Sequence, residues 1–471
     1  LACYAFAMPR DDAPRPGLTL EVQATDLDRD GCGLARWQGW VIVVPDLLPG
    51  EVAKIQLLQR QRSRWRSRRL DLIHRSEDRK RPTCILASDC GGCTLQHVAA
   101  TGQQHWKERQ LTETLSRLGG VSRSITQSHF NHQRSLGYRN RALIPLKREP
   151  KGSIRLGYYK RGSHRIINLN HCPVLDPRLD ALIEPLKLDL DRAGWSADHD
   201  LRDDQGLRHL GLRVGHYSGD LLITLVSSHD RLKNLQTWAT RWMDRWPNLR
   251  GVTLNLQPIR NNLILGKETR VIAGQDSIRE TVCGLNLELD TSTFFQVNTP
   301  QAEAIITVIC NWMKSVVGHG RILDAYCGIG TISLPLAAQG FEVVGIERHP
   351  TSINQAIQNA ERNGLSKRCH FLHGDVDGLL ASELSRCDAV VVDPPRRGLD
   401  QAVLNTLLAC PPPYLAYLSC DPATQARDLK QLASHEGPYT TDELHPVDFF
   451  PQTSHLESLV LLRRVSCAVP R

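Results

Sequence analysis

The chain has 471 residues, past the size at which one hydrophobic core stops growing, so two or three domains are expected. Apolar residues make up 41% and charged residues 23%, with a formal net charge of +8, a balance that excludes a largely disordered chain and a fibrous repeat. No apolar run approaches the roughly 18 residues that a bilayer span requires. The opening LACYAFAMPRDD lacks the length and basic lead-in of a secretory signal, and Met8 reads as a candidate true start. The 14 cysteines, diluted over this length without a signal, do not make a secreted disulfide scaffold, so a cytoplasmic protein is expected.

Residues 17–75 read as short strands broken by Asp-Gly and Pro-Gly turns: LTLEVQATD, DRDGCGLAR, WVIVVPDLLPGEVAKIQLLQ, then a basic stretch. They fit a compact five-stranded barrel of the oligonucleotide-binding kind. Between Glu51 and Pro82 stand 11 Lys and Arg against 4 Asp and Glu, a net +7. A solvated face is the plain explanation of a charge run. Here, however, Arg60, Arg62, Arg64, Arg66 and Arg68 alternate, which predicts one basic row on one strand face, with Trp65 inside the run and Arg69 following. Such a face suits a phosphate backbone, so nucleic acid is the favoured partner. The pattern DGxGxAR followed by VPxxLPGE resembles the TRAM domain, a small RNA-binding module.

A cysteine-rich stretch, CILASDCGGCTLQ, comes next, and then an amphipathic helix candidate over 103–118, placed to pack on a later catalytic domain. Residues 136–290 again look β-rich, with strands such as LRVGHYSGDLLITLVS and VTLNLQ. From Thr291 onward apolar strands alternate with helices, the signature of an α/β domain with a mostly parallel sheet. The expected division is a barrel at 17–75, a central β-rich domain at 76–290 and an α/β domain at 291–467.

RILDAYCGIGTISLPLA is an apolar strand running into a glycine-rich turn and a helix. Gly328 and Gly330 let the backbone approach a ligand at the strand's carboxyl end. Such a turn is often only a turn, and TIS after Gly330 lacks the third glycine of a dinucleotide-binding dehydrogenase. Glu347 ends a second strand 23 residues after Asp324, a spacing that suits a carboxylate on ribose hydroxyls. CHFLHGDVD presents Asp375 and AVVVDPPRRGL presents Asp393 at further strand ends. The order DxYCGxG, Glu, Gly-Asp, Asp-Pro-Pro resembles the Rossmann-like S-adenosylmethionine-dependent methyltransferases, whose donor carries a ribose and a cationic sulfonium.

YLAYLSCDPATQARDL delivers Cys420 to the same sheet edge, just before a helix. A lone cysteine is usually a small buried hydrophobe. At a helix amino terminus, however, backbone N–H dipoles favour its thiolate, which predicts a lowered pKa. FPQTSHLESLVLLRR offers Glu457 at the mouth of the terminal strand, where a glutamate is otherwise common surface decoration. A thiolate adding to C6 of uracil makes C5 nucleophilic enough to take a methyl group, and a base must then remove the C5 proton so that the thiol can leave. FFQVN (Phe294 to Asn298), DAYCGIG, VVVDPPRRGL, LSCDPAT and HLESLVLL resemble the RNA uracil-5-methyltransferases. The resemblance implies Cys420 as nucleophile, Glu457 as proton-abstracting base, and S-adenosyl-L-methionine held by Gln296, Tyr326, Thr331, Glu347, Asp375 and Asp393. It also puts Gln296 and Asp393 within reach of a uracil flipped out of its stack, which favours loop RNA over duplex. DPPRRG stands where many relatives have DPARAG, so the neighbouring loop is expected to differ in shape.

Cys84-x5-Cys90-x2-Cys93 holds three thiols within ten residues, a spacing that argues for metal, with zinc and a fourth ligand among the options. Radical enzymes use a different spacing, CxxxCxxC. Cys172, in NHCPVL, is followed by proline as in many iron–sulfur runs. The ribosomal-RNA branch of the family carries a 4Fe–4S cluster on a matching set, and the resemblance implies Cys84, Cys90, Cys93 and Cys172 as its ligands, in a structural and RNA-positioning role. The expected function is methylation of uridine C5 in 23S ribosomal RNA through a covalent Cys–C6 adduct, by a monomer that touches no membrane. The alternatives are the same chemistry on a T-loop uridine of transfer RNA, RNA cytosine-5 methylation (which usually shows a Pro-Cys motif that LSCDP lacks) and a catalytically silent iron–sulfur RNA-binding protein.

Overall fold

The computed structural model describes residues 14–465 apart from 151, 203 and 204, so the candidate start at Met8 lies outside the described residues. Strands β1 (Thr19–Leu27), β2 (Gly33–Trp37), β3 (Trp40–Val44), β4 (Val52–Gln61) and β5 (Arg64–His74) close into a barrel in the order β1-β2-β3-β5-β4. Val22, Ala24, Ile42, Val44, Ile55, Leu57 and Trp65 fill its core, and closure leaves no sheet edge free to pair with another chain.

The expected single row of arginines is folded back on itself. Arg62 takes φ +54° in the turn between β4 and β5. Arg60 therefore lies on β4, while Arg64, Arg66 and Arg68 point outward on β5 and Trp65 and Ser67 point inward. Trp65 is 5% exposed, a core residue rather than the aromatic of a basic face. The aromatic that meets this arginine set is half-buried Trp40, over which the Arg60 guanidinium stacks at 4.6 Å.

A second sheet follows, built from β6 (Arg141–Arg148), β7 (Ile154–Leu156), β8 (Leu207–Val214), β9 (Leu221–Ser227), β10 (Leu249–Leu256) and β11 (Glu268–Gly274) in the order β11-β10-β9-β8-β6-β7. After the hairpin β12 (Ser277–Val282) and β13 (Leu285–Asp290) comes the α/β region. Its strands are β14 (Arg321–Ala325), β15 (Glu342–Glu347), β16 (Cys369–His373), β17 (Ala389–Val392), β18 (Tyr414–Ser419), β19 (Tyr439–Val447) and β20 (Glu457–Arg464). They form one sheet in the order β16-β15-β14-β17-β18-β20-β19, parallel from β16 to β18, with β20 antiparallel to both β18 and β19.

The strand sequences explain the burial. Ile322, Val391, Ala416, Leu418 and Leu461 feed one core, and the intervening Leu323, Val390, Val392, Tyr417 and Val460 feed another, so both faces are covered and the strands read as continuous apolar runs. The chain leaves β14 toward β15 on one side and returns to β17 on the other. This opens a crevice at their carboxyl ends, where such sheets bind ligands.

By contact the chain forms two compact units. One holds the barrel with Gly92–Trp106 and Gln452–Ser454; the other holds Asp89–Gly91, Lys107–Pro451 and the chain from His455, including both open sheets. No helix among the described residues is long and apolar enough to cross a membrane.

In the larger unit, Leu111 and Leu115 of the helix Ala100–Gly119 enter the core cluster that contains Val390 and Tyr417. Lys107 of that helix is 1% exposed and donates to Asp448 at 2.8 Å. Removing one partner of a buried pair strands the other charge, so Lys107→Ala is expected to cost about 3–5 kcal/mol in chemical denaturation. A loss under about 1 kcal/mol would place the pair with ordinary surface ion pairs.

Candidate active site

The carboxyl end of β14 carries the turn Tyr326–Gly330. Tyr326 takes φ +72° and Gly328 +57°. The amides of Tyr326 and Cys327 both donate to the Ile346 carbonyl at 3.0 Å, and the Gly328 N–H donates to the Glu347 carboxylate at 3.1 Å. A Cβ on Gly328 would meet nothing within 4 Å, so this backbone is open to a ligand.

The cavity beside it is lined by Asp324, Tyr326, Gly328, Thr331 and Asp393, together with Phe294 and Gln296 from the segment before helix Thr299–Val316. Four of the six expected donor-binding residues, Gln296, Tyr326, Thr331 and Asp393, thus converge. Glu347 and Asp375 do not line this cavity. Glu347 accepts from the Gly328 and His349 N–H groups and so shapes its own turn. Asp375 is exposed at the start of helix Val376–Leu384 and pairs with Arg348 at 3.2 Å.

Asp324 is a wall residue that the sequence reading passes over as a ligand. It is 1% exposed; the Ser333 hydroxyl donates to Oδ2 at 2.5 Å, and Oδ1 has no hydrogen-bond partner. Burial pushes its carboxyl up to about 7. A buried acceptor left open on a cavity wall fits a ligand that brings a donor or a positive charge. The available signal was the acid of DAYCGIG with a serine nine residues on.

Cys420 follows β18. Ser419 pairs with Ser458 in the antiparallel register of β18 and β20, so Cys420 and Glu457 each adjoin this last pair of the register. The helix Pro422–Leu432 is capped by Asp421, which accepts from the Ala423 and Thr424 N–H groups at 2.9 and 3.2 Å. The helix donors are therefore spent on Asp421, and the expectation of a lowered thiol pKa does not hold. Burial, then the Glu457 and Asp393 carboxyls, push Cys420 up to about 11, opposed by Arg396.

Glu457 is 4% exposed, not surface decoration, and its Oε2 has no hydrogen-bond partner. Burial, followed by Asp393, pushes it up to about 8, again opposed by Arg396. Asp393 is pushed up to about 7 by burial and by Asp324. Cys420, Glu457 and Asp393 are thus one electrostatically linked group beside the cavity.

The DPPRRG loop is fixed to the helix Pro422–Leu432: the Arg396 carbonyl accepts from Thr424 Oγ1 at 3.3 Å, and the Leu399 N–H donates to Asp428 at 2.8 Å.

Cys84, Cys90, Cys93 and Cys172 are each half-buried. Among the described residues no group of three or more His, Cys, Asp or Glu side chains is arranged to hold a metal ion. Only the chemistry of the donor set, four thiols, fits an iron–sulfur cluster, and no chemical step below runs through one.

Residues 378–465 match the family model described as tRNA (Uracil-5-)-methyltransferase, and residues 322–405 match a general methyltransferase-domain model. An uncharacterized RNA methyltransferase of Parasynechococcus marenigrum is 61% identical over 96% of this chain and 97% of its own. Another, from a Nostoc species, is 41% identical over 95% and 96%. Among solved structures, the Pyrococcus abyssi tRNA (uracil-54, C5)-methyltransferase in complex with S-adenosyl-L-homocysteine is similar with a TM-score of 0.75 at 26% identity, covering 94% of this chain and 99% of that one.

The Glu457 environment has a consequence for stability. An exposed glutamate ionises near 4.5, whereas the folded chain holds Glu457 protonated up to about 8. As pH rises between these values the unfolded state loses its proton first, so folding is progressively disfavoured. Glu457→Gln is expected to melt higher than the wild type by a margin that widens from about pH 5 to about pH 8, reaching a few kcal/mol at the top on the order set by the shift. A margin that does not change with pH would refute the buried neutral acid.

Proposed function

The chain belongs to the RNA uracil-5-methyltransferase family, and from that premise we propose that it transfers a methyl group from S-adenosyl-L-methionine to C5 of a specific uridine in 23S ribosomal RNA, through a covalent bond between Cys420 and C6. The observation that carries this reading is the grouping of Cys420, Glu457 and Asp393 at the carboxyl edge of the seven-stranded sheet, beside a cavity walled by Asp324, Tyr326 and Gln296.

When bound, the donor supplies an electrophilic methyl group for C5. Gln296, Tyr326, Thr331 and Asp393 would hold it along the cavity, with Asp324 Oδ1 as a further acceptor and with Glu347 and Asp375 at the neighbouring strand ends. Cys420 adds to C6 as a thiolate, and the displaced electron pair makes C5 the nucleophile. After C5 has taken the methyl group, Glu457 removes the C5 proton, and the returning electron pair expels the Cys420 sulfur. Arg396 opposes the upward shift of both groups and so favours the ionised forms that these steps need. The outward Arg64, Arg66 and Arg68 of the barrel would contact phosphates.

A T-loop uridine of transfer RNA is the second reading, favoured by the likeness to the Pyrococcus abyssi enzyme. That likeness spans 94% of this chain, too much to leave the barrel out, so the barrel does not separate the two substrates. The ribosomal reading rests on the cysteine set: Cys84, Cys90, Cys93 and Cys172 would hold a 4Fe–4S cluster, which their spacing and the family resemblance support.

Tritium release from RNA labelled at uracil C5 tests the reaction. Release from a ribosomal transcript is expected, and Cys420→Ala should abolish it while leaving RNA binding intact. Release from transfer RNA alone would keep the mechanism and overturn the substrate, and release from neither by folded protein would overturn the uracil-5 reading. Anaerobically purified chain is expected to carry about four iron and four sulfide, lost in Cys172→Ala; an iron-free wild type under the same conditions would remove the cluster.

A further inference from the structure

Two arginines of the second sheet stand directly opposite one another: Arg141 on β6 is the register partner of Arg213 on β8. Like charges at such a position repel, and burying them away from water adds to the cost. Yet Arg213 is 4% exposed, and its guanidinium is held well below the usual arginine range by burial and by Arg141. Both side chains point at one short segment. Arg213 donates to the Asp290 carbonyl at 2.5 Å and the Thr293 carbonyl at 2.7 Å. Arg141 donates to the same Thr293 carbonyl at 3.2 Å and to that of Thr291 at 3.0 Å.

The neighbouring Asn140 continues the line, its backbone N–H donating to Val297 at 2.9 Å and its side-chain amide to the Gln296 carbonyl at 3.0 Å. Asp290 closes the segment from within by accepting from the Ser292 and Thr293 N–H groups. The segment gripped in this way, 290–297, contains Phe294, Phe295 and Gln296, all of which line the donor cavity.

We propose that Arg141 and Arg213 are positioning residues for methyl transfer: together they fix the backbone of Thr291–Thr293 so that Phe294 to Gln296 form one wall of the donor cavity. The inference rests on the methyl-donor reading of that cavity. A forked guanidinium can hold two carbonyls at once, whereas a lysine ammonium lacks that rigid geometry. The like-charged pair is offset by the backbone carbonyls on which each guanidinium spends its donors.

Calorimetric titration with S-adenosyl-L-homocysteine reads the cavity without involving RNA. Arg213→Lys keeps the charge but loses the fork, and its affinity for this probe is expected to fall about ten-fold, within the range that a small displacement at a reacting site produces. In the methylation assay the donor KM should rise by more than kcat falls. Arg148→Lys is the matched control, because Arg148 also lies on β6 and donates to backbone carbonyls, but to those of Trp195 and Leu190, away from the cavity. It should lose comparable thermal stability and keep wild-type affinity. Equal affinities in Arg213→Lys and wild type, or an equal loss in Arg148→Lys, would overturn the proposal. If Arg213→Lys does not fold, Arg141→Lys carries the same expectation. A folded wild type that fails to bind the probe would instead overturn the donor reading itself.

Discussion

Three acids, buried Asp324 and Glu457 and half-buried Asp393, stand at one edge of one sheet, and the properties of the site follow from that withdrawal from water. They stand at the end region of β14, just past β17 and at the start of β20: β14 and β17 are parallel neighbours, and β20 brings Glu457 to the same edge by running antiparallel beside β18. Each is pushed upward first by desolvation and then, in all three cases, by another carboxyl. The carboxyl named is Glu347 for Asp324, Asp324 for Asp393 and Asp393 for Glu457, so the influence runs in a chain along the strand ends. The strands that carry these acids are packed on both faces, with alternate residues of β14, β17, β18 and β20 locked into two separate cores.

The sequence made the architecture legible where patterns are local. Five short strands, a β-rich middle and alternating apolar strands and helices follow from turn residues and runs of valine, leucine and isoleucine. Cys420, Glu457 and Asp393 could be singled out because each sits in a short motif at a strand end. What escaped was set by contacts between distant segments. Alternation through Trp65 is plain in the sequence, but which face is inside depends on the turn at Arg62 and on pairing with β3 and β4. The direction of the thiol shift escaped because burial drives it first, and because Glu457, the next cause, lies 37 residues beyond Cys420. Glu347 is a reasonable ribose ligand by spacing; that its carboxylate also accepts from the Gly328 and His349 N–H groups was not legible, because the first of these contacts joins two strand ends. Nothing in the sequence pairs Arg141 with Arg213 across 72 positions; only the β6–β8 register does.

The same burial decides how the proposed chemistry can run. With the thiol pushed up to about 11 and Glu457 to about 8, the state holding both a thiolate and a free carboxylate is disfavoured at neutral pH. Arg396 pulls both groups toward ionisation, but it is exposed and its field is shared with solvent. A positive charge placed inside the cavity is screened far less. It would act first on the two acids of the wall, Asp324 and Asp393, and through Asp393 on Glu457. A donor that carries a sulfonium brings such a charge, and the product left after methyl transfer does not. The acids that make the unliganded site reluctant to ionise are therefore the groups that such a charge would meet, since Asp324 and Asp393 line the same cavity as Phe294 to Gln296.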